Sequence, residues 1–124
     1  MSLIISVIQK GRIIVDTNFL EEQVPAPHNN LFGFESCRKT LWGNDLISEL
    51  GCELIYSLKN TNIFAFDEEI EKLESEFLIL LDNLDTIELH TDYDKEFIEF
   101  RVRNALEMIK VVFKEKDKVG IAIW

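Results

Sequence analysis

Residues 94–116 constrain this chain more than any other stretch, because they read as one long helix with a very wide apolar side. At 100° per residue, Phe97, Ile98, Phe100, Val102, Ala105, Leu106, Met108, Ile109, Val111, Val112 and Phe113 fill the apolar arc. Glu96, Glu99, Arg103, Glu107, Lys110 and Lys114 hold the opposite strip. Glu99, Arg103 and Glu107 alternate in sign at four-residue steps, which supports an exposed helix face. An arc this wide cannot be buried against one neighbour, so the helix is expected between a sheet and other helices. Two polar residues, Arg101 and Asn104, fall inside the arc.

The rest of the chain supplies those neighbours. Residues 3–9 are rich in β-branched side chains and read as a strand. Lys10-Gly11 suits a tight turn, and residues 12–16 are the expected returning strand. Near the other end, Val119, Ile121 and Ile123 alternate with smaller residues, the period of a third strand. Residues 17–34 contain Pro25 and Pro27 and read as a long irregular segment pinned by Leu31, Phe32 and Phe34. Short helices are expected at 35–42 and from Asn44 or Asp45 onward, with extended segments at 54–56 and 63–66. Asp67 is a natural N-cap for a helix whose face runs Ile70, Leu73, Phe77, Leu80, Leu81, Leu84 and Ile87. Thr91 or Asp92 would cap the long helix after a short connection. The expected fold is α+β: a small antiparallel sheet, built from an N-terminal hairpin and a C-terminal strand, packed on a long antiparallel helical hairpin with short helices between.

Length and charge narrow the function. The 124 residues amount to one domain, and 47% hydrophobic with 29% charged residues is ordinary globular composition. The net charge of −10 is local. Residues 67–99 hold thirteen acidic side chains against two basic ones, Lys72 and Lys95, or −11; the remainder holds ten against eleven, or +1. Such a surface opposes nucleic acid and anionic membranes and suits a basic protein partner. No apolar run reaches the roughly eighteen residues of a membrane span, and no leader pattern opens the chain. Cys37 and Cys52 lack C-x-x-C spacing and read as reduced, buried thiols of a cytoplasmic protein. The chain carries none of the G-x-x-x-x-G-K-[ST], G-x-G-x-x-G or G-x-S-x-G patterns, and its Cys and His spacing matches no zinc set, so neither cofactor nor metal is expected.

Three groups of residues are candidates for function. Glu68, Glu71 and Asp82 represent the acidic helix surface that a basic partner would meet. Leu78, Ile79 and Leu89 lie off the main apolar face and would serve a homodimer if no other segment covered them. Arg101, Asn104 and His28 would form an anion-recognising pocket, with Arg101 as clamp and Asn104 orienting it. The structural counterparts are an Arg101 carboxylate pair with Asp16 or Glu35, or an Arg101 that reaches solvent along its aliphatic stem. A His28–Cys37 thiol–imidazole pair is the one nucleophile arrangement available. The leading functional expectation is a non-catalytic protein-binding or regulatory module, for example of the immunity or inhibitor type. The alternative is a protein or minor enzyme that takes an anionic small molecule near Arg101 and Asn104.

Overall fold

The computed structural model describes residues 1–124. Strands β1 (Ser2–Gln9), β2 (Leu31–Phe34), β3 (Ile63–Ala65) and β4 (Val119–Ile123) form one antiparallel sheet in the order β2-β1-β4-β3. The helices are α1 (Thr17–Glu21), α2 (Asp45–Glu49), α3 (Glu53–Tyr56), α4 (Glu68–Leu81), α5 (Leu84–His90) and α6 (Lys95–Phe113). A π-helical turn at Arg38–Trp42 and a 3₁₀ turn at Ser57–Lys59 complete the chain. The α+β class, the antiparallel sheet and the long helix are as the sequence predicts. No helix is long and apolar enough to cross a membrane.

The N-terminal hairpin is a correction. Lys10-Gly11 does turn the chain, with Gly11 at φ 57, but residues 12–16 form no strand, and Ile14 is 93% exposed. Both edges of β1 are taken by distant segments. β4 pairs with residues 5–9, setting Ile5 opposite Ile123 and Val7 opposite Ile121. β2 pairs with the start of β1, Ile4 opposite Leu31. The rest of that edge is closed when Ile5 N donates to Asn30 O at 2.8 Å and Val7 N donates to Glu21 Oε2 at 3.1 Å. A local partner strand has no free edge to join.

One face of the sheet carries Leu3, Ile5, Val7, Ile63, Ala65, Ile121 and Ile123, all buried. Helix α6 packs on β1, β2 and β4 and also touches α1, α4 and α5, which accounts for its wide apolar arc. The core is one continuous cluster of 29 buried residues. Phe32 and Trp42 stack within it at 4.1 Å, with Trp42 Nε1 donating to Phe32 O. The opposite sheet face is apolar too, and Phe64 and Trp124 stand there more than half exposed. On that face the Phe66 ring occupies the space a Cβ on Gly120 would need, so only glycine fits.

Helices α4 and α6 run antiparallel: Glu71 near the start of α4 reaches Lys116 beyond the end of α6, while Asp82 after α4 shares a cleft with Lys95 and Glu99 at the start of α6. The apolar pattern of α4 does not continue unbroken to Ile87. Asn83 interrupts it, its Nδ2 donating to Ile79 O at 2.8 Å and so satisfying a carbonyl of the last turn. Residues 54–56, expected as extended, form α3. The irregular segment 17–34 likewise contains α1, capped by Asp16 Oδ1 accepting from Phe19 N at 3.0 Å, as well as β2. Asp94, rather than Thr91 or Asp92, occupies the N-cap position of α6.

Candidate functional site

Asn104 is fully buried on α6, and all four of its hydrogen-bonding capacities are used. Its Nδ2 donates to Leu31 O at 2.8 Å and to Asn29 Oδ1 at 3.1 Å; its Oδ1 accepts from Asn29 N at 3.2 Å. The backbone donor and the backbone acceptor fix the amide orientation. His28 Nδ1, 2.9 Å from the same Oδ1, must therefore be the donor. Asn104 thus fastens the 28–31 segment to α6 and has no capacity left for a ligand. It brings His28 to the site without recognising an anion itself.

Arg101 makes none of the eight ion pairs in the molecule. The expected carboxylates are engaged elsewhere, Asp16 at the cap of α1 and Glu35 with Arg38 at 2.7 Å. Arg101 Nε is buried with no acceptor. The guanidinium carbon instead lies 4.6 Å from the centroid of Phe97 and 5.3 Å from that of Phe100. A buried N–H without a partner costs about 1–3 kcal/mol, and each ring contact returns about 0.5–2 kcal/mol, so an anion meeting the guanidinium edge would find a charge not yet neutralised. Arg38 is the contrast: its fork donates to Glu35, Leu58 O, Thr61 O and Asn62 Oδ1.

The rings extend the site outward. Phe97 stacks with Tyr93 at 5.6 Å and with Phe34 at 6.3 Å, and Phe34 is 57% exposed. His28 lies against Phe100 at 5.3 Å. Of the sequence-predicted trio, Asn104 and His28 are bonded directly, while Arg101 is linked to His28 only through the Phe100 ring on which both lie. The cleft that does contain His28, about 420 Å³, is lined by Asn18, Glu21, Glu22, Val24, Asn29, Asn30 and Met108, without Arg101. Its two carboxylates oppose an anion. His28 and Cys37 form no working pair, because His28 is committed to Asn104 while Cys37 is fully buried beneath Gly33.

The acidic surface divides into two ends. Glu68 and Glu71 lie in the first turn of α4, where carboxylates complement the helix dipole, and Glu71 is paired with Lys116 at 3.7 Å. Asp82 lies beyond the last turn, about 20 Å away along the helix axis. The denser group lies on the Asp82 side: Asp82, Glu88, Asp92, Asp94 and Glu96 have no cationic partner, and Lys95 pairs with Asp85. Among them Leu89 is 81% exposed on α5, at the rim of a cleft of about 490 Å³ shared with Thr40, Asn44, His90, Asp92 and Tyr93. Leu78 borders a different groove with Arg103, Leu106 and Lys110, and Ile79 packs on the core. The three expected dimer residues do not form one patch.

Glu76, counted with the acidic surface in sequence, is only 3% exposed. Its carboxylate accepts from Ile55 N at 2.9 Å and Leu54 N at 3.3 Å, capping α3 across the helix boundary. Burial raises its pKa above the usual glutamate range, and those two backbone hydrogen bonds oppose the rise. Its helical spacing, three residues after Leu73 and four before Leu80, is the signal that places it on the buried face. The neighbouring Cys52 thiol is pushed up to about 12, first by burial and then by Glu76 and Glu53. No three His, Cys, Asp or Glu side chains converge as a metal set. No protein-family model, curated protein or solved structure matches the chain.

Proposed function

We propose that the protein is a non-catalytic binding module of the cytoplasm that presents the α5 side of its helical layer to a basic protein, in the manner of an immunity or inhibitor protein. The observation that carries this reading is Leu89, 81% exposed on α5 with Glu88 and Asp92 beside it in sequence and no cation paired to either carboxylate. An apolar anchor inside a charged rim is the usual anatomy of an interface hot spot. Carboxylates around it that no cation neutralises, Asp92 and Glu88 (whose Oε2 accepts from Lys95 N), would accelerate encounter with a basic surface and select the partner's sign. The acidic residues beside that anchor are then Glu88 and Asp92, while Asp82 lines a separate cleft before α5 and Glu68 and Glu71 lie farther along α4.

The test is affinity capture from the native host at low salt with wild type, Asp92→Lys, and Leu89→Ala. The reading requires a stoichiometric basic protein that elutes as salt rises and is not retained by either variant. Retention that ignores both substitutions, or that survives high salt, would sink it.

A further inference from the structure

We propose that Arg101 and the rings around it form a binding ledge for a small planar aromatic oxyanion, an aryl phosphate or aryl carboxylate. This site borders the acidic helical surface, since Tyr93 also lines the Leu89 cleft, but it takes a ligand of the opposite charge.

Four observations converge on it. Arg101 Nε is buried and has no acceptor, and no carboxylate pairs with the guanidinium. The group lies over Phe97 at 4.6 Å and Phe100 at 5.3 Å. A guanidinium held over ring faces keeps its N–H donors free at its edge, the arrangement that grips two oxygens of a carboxylate or phosphate at once. Phe97, the ring beneath the guanidinium, also stacks with Tyr93 and Phe34, and Phe34 is 57% exposed and offers a flat apolar surface for a ring. On the other side, His28 lies against Phe100 with Nδ1 committed to Asn104. The pieces therefore suit a ligand with one anionic end and one aromatic body. An anion alone would use only the arginine, and a neutral ring only Phe34.

Arg101 supplies its own reporter. In ¹⁵N-labelled protein, the Nε–Hε cross-peak is followed during titration with phenyl phosphate, inorganic phosphate and phenol. Phenyl phosphate should shift that cross-peak and the backbone amides of Phe34 and Phe97 along one saturable curve, with phosphate and phenol at least about tenfold weaker. Arg101→Gln should abolish the saturable shifts at Phe34 and Phe97 while the other amides keep their positions. Arg101→Lys should not restore them, because an ammonium lacks the fork. Phe34→Ala, at an exposed position, should weaken phenyl phosphate while leaving phosphate binding unchanged, and it decides the matter if the arginine variants do not fold. No saturable shift with wild type would overturn the proposal. So would equal affinity for phosphate and phenyl phosphate, or binding indifferent to both Arg101→Gln and Phe34→Ala.

Discussion

Asn104 and His28, 76 residues apart in sequence, are joined by a 2.9 Å hydrogen bond in which the imidazole Nδ1 is the donor. The same asparagine also bonds Asn29 twice and Leu31 once. One side chain thus replaces the regular secondary structure that the proline-bearing segment lacks. Asn104→Ala removes every one of these part-buried hydrogen bonds at once, so it should cost about 3 kcal/mol. His28→Ala loses one bond and should cost about 1 kcal/mol. Urea unfolding of both variants checks the ratio, and equal losses would contradict the assignment.

Glu76 predicts a particular pH dependence. Burial raises its folded-state pKa above the usual glutamate value of 4.5, so the folded protein holds this proton more tightly than the unfolded chain does. The favourable contribution is fully present below that value and is lost as pH rises through the raised folded value. Glu76→Gln cannot titrate. The stability of wild type relative to Glu76→Gln should therefore fall as pH rises above the usual glutamate value and through the raised folded one. Paired urea titrations measure that difference, and a constant gap would refute it.

Asp67 stands at the entrance to α4 with φ 54, the one residue other than glycine with positive φ. Its side chain makes no cap; it pairs with Lys10 at 2.6 Å on the surface. Glycine relieves the backbone strain that alanine keeps, and both lose the ion pair equally. Asp67→Gly should therefore be more stable than Asp67→Ala by about 1 kcal/mol. Thermal melts of the two variants settle the order.

Cys37 and Cys52 are both free and fully buried, and the Cys52 thiol is held near 12. At pH 8 the native protein should resist iodoacetamide at both positions, while denatured protein takes up two alkyl groups. Mass spectrometry reads the count directly. Rapid labelling of Cys52 in native protein would show that its surroundings open far more often than this packing implies.

Helical periodicity made α6 legible, including the two polar residues inside its apolar arc. The alternation of Val119, Ile121 and Ile123 made β4 legible for the same reason: each pattern is local. Strand partnership is not local. Residues 12–16 have the composition of a strand, yet the edge they would join goes to residues 119–123 and 31–34, chosen by long-range packing. Arg101 and Asn104 were visible as anomalies but not separable in role. Only the path of a segment more than seventy residues away shows that one is saturated and the other unpaired. Glu76 stands among surface acids in composition, and only its helical spacing between Leu73 and Leu80 marks it as buried.

The position of β4 has a consequence for how the molecule is made. It lies between β1 and β3, so residues 2–9 and 63–65 have no neighbour on that side until residues 119–123 arrive. During synthesis, Ile5, Val7 and Ile63 must wait through the whole helical portion before their backbone partners leave the ribosome. Nascent chain in that interval exposes open strand edges beside apolar side chains, the form most prone to pairing with another chain. Closure of the sheet therefore follows synthesis of α4, α5 and α6, when residues 119–123 pair with 5–9 and 63–65. A polypeptide stopped short of Val119 would keep its helices' sequence but lose the strand that connects β1 to β3.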